Sequence, residues 1–210
     1  MKKSIYIIGG GPSLKDFDFY KLKDKDIIAV NNAFLNVPWA KYFITMDYTF
    51  QNKTHKLKFR SFTGTKIFIA NFDNDYIVEK DGKIVDIRYN LLYKLKPFDM
   101  IIKSRKSDGI GYSFKDFRNG TNSGFSAIQL AILLGYEEIY LLGFDLTGTD
   151  RTHYHDYYNR DPKKYQPTLD IYYSYFHRAI LKLKYDYPQT QIYSCSSISK
   201  LNDFLEQKEL

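Results

Sequence analysis

A short apolar run, Ile5-Tyr6-Ile7-Ile8, passes directly into Gly9-Gly10-Gly11-Pro12-Ser13. The run reads as a buried strand. The glycines permit a tight turn and a close approach of the backbone to a ligand. Pro12, lacking an N–H, suits the first position of a helix or turn, and Ser13 can donate to a phosphate or cap the segment that follows. A strand that ends in such a turn can cradle a nucleotide phosphate on its backbone N–H groups. The pattern is neither the dinucleotide fingerprint, whose third glycine is missing, nor a Walker A loop, since no Lys-Ser/Thr pair follows. An ordinary strand-to-loop turn is the plainer alternative.

Three further apolar runs follow. DIIAV (26–30) ends in Asn31-Asn32, KYFITM (41–46) ends in Asp47, and KIFIA (66–70) ends in Asn71. Each delivers a polar residue to its C-terminal end, the edge at which open parallel sheets bind ligands. The expected fold is α/β and Rossmann-like, a mostly parallel sheet with helices on both faces. Two hundred and ten residues suffice for such a core.

The composition excludes several classes. Lysine and arginine are spread through a chain of net charge +7, without the dense basic block of a nucleic-acid binder. A diffuse positive field suits anionic substrates or an anionic surface, so peripheral membrane contact stays open. Cys195 is the single cysteine. No intrachain disulfide is therefore possible, and a reducing, cytoplasmic setting is expected. The apolar run behind Lys2-Lys3 is too short for a signal peptide, and no stretch reaches the roughly 18 apolar residues of a membrane span.

From residue 75 the character changes. YIVEKDGKIVDIRY forms two alternating runs around Asp81-Gly82, a hairpin signal. Residues 97–120 read as an irregular, flexible lid near the site, or equally as a plain surface loop. Thr121, Asn122 and Ser123 are good N-caps for a helix carrying Ala127, Leu130, Ala131 and Leu134, with Gly135 as its stop. Gly124 lets that helix start sit close to another group, and its N-terminus can receive phosphate or carboxylate. A strand at 138–142 leads to Gly143-Phe144-Asp145.

The polar stretch after Asp145 carries His153, Tyr154, His155 and Asp156. Either histidine can serve as a general base, because its charge changes near neutral pH. A metal site is weakly indicated by two histidines and one carboxylate, and none is assigned. An amphipathic helix is expected over 168–187, with Leu169, Tyr172, Phe176, Ile180 and Leu183 as a core stripe. A short strand from Gln191 and a closing helix at 198–206 complete the chain. Cys195 reads as a packed strand-end residue, and neither His55 nor His177 is given a role.

GGGPSL (9–14), AVNNAF (29–34), NSGFSAIQLAILLGYEEIYLLGFD (122–145) and THY (152–154) together resemble the bacterial lipooligosaccharide sialyltransferases, glycosyltransferase family 42. They also resemble a wider superfamily with archaeal 6-hydroxymethylpterin pyrophosphokinase-like and phage members. The resemblance implies a Rossmann-like nucleotide-binding transferase domain over residues 1–210, with 75–120 as a hairpin and lid insertion. It implies a CMP-sugar donor, a glycan or small-molecule acceptor, no metal, and a histidine that deprotonates the acceptor. His153 matches that histidine best, with His155 as the alternative and Tyr154 beside it. Asn31 matches a donor-contacting asparagine, and Thr121-Asn122-Ser123-Gly124 matches a donor-contacting turn. Gly9, Gly10, Gly11, Pro12, Ser13, Asn32, Asp47 and Asp145 complete the expected nucleotide site. Gly10 and Asp47 each stand where that family carries asparagine.

Two other functions fit the same residues. In a pyrophosphokinase using ATP, Asp47 and Asp145 would hold Mg²⁺. A non-catalytic relative would keep only the nucleotide pocket. Oligomer formation is compatible with all three.

Overall fold

The computed structural model describes residues 2–47, 56–71, 77–80, 83–86, 98–105, 109–148, 151–157 and 160–210. Its strands are β1 (Ser4–Ile8), β2 (Ile27–Val30), β3 (Tyr42–Thr45), β4 (Thr65–Asn71), β5 (Ile77–Lys80), β6 (Lys83–Asp86), β7 (Met100–Ser104), β8 (Glu138–Leu142), β9 (Gln191–Ser194) and β10 (Glu206–Gln207). Its α-helices are α1 (Lys56–Ser61), α2 (Ser123–Leu133) and α3 (Pro162–Asp186). Eight strands form one sheet in the order β10-β9-β8-β1-β2-β3-β4-β7, and every pairing in it is parallel. β5 and β6 form a separate antiparallel pair with Lys80 opposite Lys83, as the hairpin pattern predicts. The Asp81-Gly82 turn lies outside the described residues.

The run Ile5–Ile8 is apolar at every position because both faces of the sheet are covered. Ile5 and Ile7 pack on the side of α2 and α3, with Ile128, Ala131, Phe176 and Ile180. Tyr6 and Ile8 pack on the opposite side, with Leu14, Leu22, Phe34 and Phe59. That second layer is built from 3-10 turns (Pro12–Leu14, Phe19–Leu22 and Asn31–Leu35) together with α1. The chain steps outward from β1 through β2, β3 and β4 to β7. It then returns along α2 to β8, on the other flank of β1. This reversal opens a crevice at the C-terminal ends of β1 and β8, where doubly wound sheets bind ligands.

Three expectations are corrected. Residues 97–120 are not irregular throughout, because Met100–Ser104 pairs with β4 as the edge strand β7, and Arg105 bridges to Arg118. Its half-exposed pattern is typical of an edge and hides it from an apolar-run search. Residues 106–108 lie outside the described residues. The α3 helix begins at Pro162 rather than Thr168, since Asp161 accepts from the Lys163 and Lys164 N–H groups and Pro162 takes the first position. Pro167 then falls early in the helix and deprives only the Lys163 carbonyl of its partner. The closing segment is a 3-10 turn, Lys200–Asp203, followed by β10, not a helix over 198–206. Ser199 Oγ donates to the Phe144 carbonyl and the Lys200 N–H to that of Asp145, which pulls the chain onto the end of β8.

Among the described residues, no helix is long and apolar enough to cross a membrane. Cys195 is free, and burial pushes its thiol up to about 12, in keeping with a packed strand-end residue.

Candidate functional site

A cavity of about 410 Å³ opens at the C-terminal edge of the sheet. Gly9, Gly10, Gly11 and Pro12 after β1, Asn31 and Asn32 after β2, and Asp47 after β3 form one part of its lining. Thr121, Asn122, Ser123 and Gly124 at the start of α2, Asp145 after β8, and His153 and His155 line it too. The fold therefore gathers most of the residues expected from sequence. It leaves out Ser13 and Tyr154, which do not line the cavity. Ser13 gives its N–H and its hydroxyl to the two carboxylate oxygens of Asp145, at 2.7 Å each. Tyr154 points its hydroxyl at Asn36 Oδ1 and packs near Phe19.

The glycine turn is glycine for a reason internal to the protein. A Cβ at Gly9 would lie 2.6 Å from the Gly143 carbonyl oxygen, and one at Gly11 2.4 Å from Asp145 Oδ2. A Cβ at Gly10 would lie 2.9 Å from Cδ2 of His153. The turn is thus pressed against the end of β8 and against an imidazole. The Gly9 and Gly11 N–H groups donate to Leu142 and Gly143 carbonyls. The Tyr154 N–H donates to the Gly10 carbonyl at 3.0 Å, which clips the histidine loop onto the turn.

His153 Nδ1 lies 2.8 Å from the Thr152 hydroxyl, and its ring stacks on His155 with 5.4 Å between centroids. Burial, reinforced by the neighbouring His155 and Arg160, pushes His153 from the ordinary 6.5 down to about 4. The imidazole is therefore neutral at pH 7. The unfolded chain binds a proton at this position between pH 6.5 and 4 that the folded chain refuses. Stability accordingly falls as pH drops through that window, by at most about 1.4 kcal/mol per pH unit. Thermal unfolding of His153→Asn between pH 7 and pH 4.5 is expected to have a shallower pH dependence than the wild type. An identical dependence would place the missing proton elsewhere.

Asn31 sits at φ 52°, in the left-handed region. Thr121 (φ 58°) and Leu146 (φ 52°) do the same, and all three line the cavity. Backbone strain of this kind, roughly 1–3 kcal/mol per residue, collects at functional sites. Asn31 is held by the buried Thr45, whose hydroxyl donates to Asn31 Oδ1 at 2.8 Å and accepts the Asp47 N–H at 3.0 Å. Thr45→Val keeps the shape and removes both bonds. It is expected to cost about 1–3 kcal/mol in thermal or chemical unfolding and to weaken ligand binding through Asn31. Unchanged stability and binding would show that Thr45 does not position Asn31.

At the start of α2, Asn122 is the N-cap, accepting from the Gly124 N–H at 2.8 Å and the Phe125 N–H at 3.1 Å. Ser123 Oγ accepts the Met46 N–H. The buried Asn119 accepts the Thr121 N–H on its Oδ1 and donates to Ser104 Oγ on β7, which in turn donates to the Ala70 carbonyl. The edge strand is thereby wired to the helix start.

The remaining wall was not legible as a site in the sequence. Arg160, Tyr165, Leu169, Tyr172 and Phe176 line the cavity from α3 and the segment before it. The N-terminal half of the stripe assigned to the core therefore lines the cavity as well, with Leu169 and Phe176 still buried in the core, while Ile180 and Leu183 are core as expected. Two tyrosines seven residues apart on an apolar stripe were the available signal, because a tyrosine needs a partner for its hydroxyl. The Arg160 guanidinium carbon lies 4.4 Å from the centre of the Tyr165 ring. Burial, assisted by Tyr172, pushes the Tyr165 hydroxyl up to about 12, so it remains a donor at neutral pH.

Among the described residues, no group of three or more His, Cys, Asp or Glu is placed to hold a metal ion. Both oxygens of Asp145 already accept from Ser13.

No protein-family model matches the chain, and no curated protein matches it. Solved structures do. The sialyltransferase CstII from Campylobacter jejuni, in complex with the substrate analogue CMP-3FNeuAc, is 18% identical over 99% of this chain and 86% of its own, with a TM-score of 0.54. The monofunctional α-2,3-sialyltransferase Cst-I from the same organism is 18% identical over 98% of this chain and 80% of its own, at 0.56. The MAf glycosyltransferase from Magnetospirillum magneticum AMB-1 is 15% identical over all of this chain but 34% of its own, at 0.51. At these identities the likeness establishes the fold, an open parallel α/β sheet of the kind these glycosyltransferases carry.

Proposed function

We propose that this chain is a sialyltransferase-like glycosyltransferase, which moves a sugar from a nucleotide-activated donor, CMP-linked by analogy, to an acceptor hydroxyl. The observation that carries the reading is the imidazole of His153, neutral at pH 7 and held on Gly10 in the wall of the cavity. In the tautomer whose Nδ1–H donates to the Thr152 hydroxyl, Nε2 keeps the lone pair that a general base needs. Asn31 and the Thr121–Gly124 turn would hold the donor. The fold shared with the CMP-complexed enzymes supports the choice of donor class.

The test is thermal unfolding against CMP, CDP, UDP, GDP and ATP, each with and without Mg²⁺. A ligand at 100 times its dissociation constant stabilises the native state by about 2.7 kcal/mol. A shift with CMP or CDP in the absence of metal is expected. A shift with ATP that requires Mg²⁺ would replace this reading with the pyrophosphokinase one.

A further inference from the structure

We propose that Tyr20 and Trp39, an aromatic pair on the outer layer of 3-10 turns, form a stacking site for the sugar chain of the acceptor, outside the cavity and beyond its histidine wall. The placement rests on the glycosyltransferase reading above and assigns the acceptor side of that site.

His153 and Tyr154 straddle this wall. His153 lines the cavity, whereas Tyr154 turns outward, gives its hydroxyl to Asn36 Oδ1 and packs on Phe19 with 5.8 Å between ring centres. Phe19 opens the 3-10 turn Phe19–Leu22, in which Tyr20 comes next. Tyr20 is 71% exposed and lies on Trp39, at 5.3 Å between centres and 31° between planes. A line of rings therefore leads from the imidazole, over Tyr154 and Phe19, to an aromatic pair at the surface.

The pair is held as a binding platform would be. Asp18 caps the turn by accepting the Tyr20 N–H at 3.1 Å, which fixes the backbone beneath a side chain that stays in solvent. Trp39 is half-buried in the second core layer, and among the described residues its buried Nε1–H has no acceptor. Buried donors are ordinarily paired, so this one is an orphan that a sugar hydroxyl arriving beside the ring could satisfy. The C–H face of a pyranose ring is apolar and its rim is polar, which matches an aromatic face with a hydrogen-bonding edge.

The size of the cavity and the charge of the surface select the occupant. A cavity of about 410 Å³ suits one small ligand, here the donor. The acceptor need bring only one hydroxyl to His153, and the rest of it must lie outside. Four lysines and four aspartates between positions 15 and 26 cancel, so this surface has no net attraction for an anionic membrane and favours a neutral polyhydroxyl chain.

Trp39 is the single tryptophan, so its fluorescence reports on the site directly. The probes are glucose, galactose and N-acetylglucosamine, each beside its β-1,4-linked tetrasaccharide, added to the protein saturated with whichever panel nucleotide binds it. At least one tetrasaccharide is expected to shift the Trp39 emission and to bind about tenfold or more tighter than its monosaccharide. Tyr20 is exposed, so Tyr20→Ala is expected to fold, which its melting temperature checks. It should weaken that tetrasaccharide by about three- to tenfold, as loss of one aromatic stack requires, and leave the nucleotide unchanged. Tyr20→Phe, which keeps the ring, should restore the affinity. If the nucleotide binds but no tetrasaccharide moves the emission, or if Tyr20→Ala binds the tetrasaccharide as the wild type does, the stacking site falls alone. If instead vesicles of phosphatidylcholine and phosphatidylglycerol shift the emission and the tetrasaccharides do not, the pair is a membrane contact and the glycan site is overturned. If the wild type binds no nucleotide, the transferase reading falls and takes the acceptor site with it.

Discussion

Replacing His153 with alanine is expected to slow sugar transfer by about 10²–10⁴-fold while leaving nucleotide affinity nearly unchanged. The imidazole is argued to act on the acceptor proton, an interaction made as the transition state forms, so kcat and kcat/KM should fall together. The backbone bond from Tyr154 N–H to the Gly10 carbonyl does not involve the side chain and should keep the loop in place. The pH profile adds an independent check. With its proton affinity pushed down to about 4 by burial, His153 is in its basic form from about pH 5 upward, so the wild-type rate should have no acid limb between pH 6 and 7. A limb in that range would mean that the working base is a group with an ordinary histidine pKa. Full activity in His153→Ala, with loss in His155→Ala, would transfer the role to the second imidazole, which stacks on the first.

The residues that made the fold legible are the ones buried on both faces. Ile5–Ile8, Ile27–Val30 and Glu138–Leu142 announce themselves because a central parallel strand has no solvent side to dilute its apolar run. β7 at the edge and the two-residue β10 lack that signature, so no apolar run marks either as a strand. The site divides in the same way. Residues that follow a strand directly, such as Asn31, Asp47 and Asp145, could be placed by counting to the end of an apolar run. Arg160, Tyr165 and Tyr172 could not, since α3 reaches the cavity only by folding back across the sheet, and the direction of that return is a tertiary fact. Thr45 and Asn119 were hidden for a different reason. Each acts through another residue, and a buried polar side chain carries no local mark of the partner it serves. The glycine turn is legible in the sequence, but the groups that demand glycine there are not, because Gly143, Asp145 and His153 are all more than a hundred residues away.

Phe34→Ala is expected to be the most destabilising of the substitutions considered, at about 3–5 kcal/mol. Phe34 is 2% exposed and meets the rings of Phe43, Phe59 and Phe62 edge-on, at 5.6, 5.9 and 6.0 Å. Truncation removes the ring from all three contacts, and a cluster drawn from β3, α1 and the segment after it cannot close around the gap without moving the sheet. For a chain of this size such a loss corresponds to a fall in melting temperature of roughly 6–20 °C. The consequence reaches the site, because Phe34 anchors the same 3-10 turn, Asn31–Leu35, that presents Asn31 and Asn32 to the cavity. Asn31 is held at a positive φ that its surroundings must enforce. Once the anchor is cut, that residue can relax toward ordinary backbone angles and lose its hydrogen bond from Thr45. The expected outcome is therefore a protein that melts lower and, at temperatures where it is still folded, binds nucleotide more weakly than the wild type. Phe62→Ala provides the contrast, since Phe62 belongs to the same cluster but lies outside that turn. It should lower the melting temperature while sparing affinity. Equal loss of affinity in both variants would mean that binding tracks overall stability and that the turn has no special dependence on Phe34.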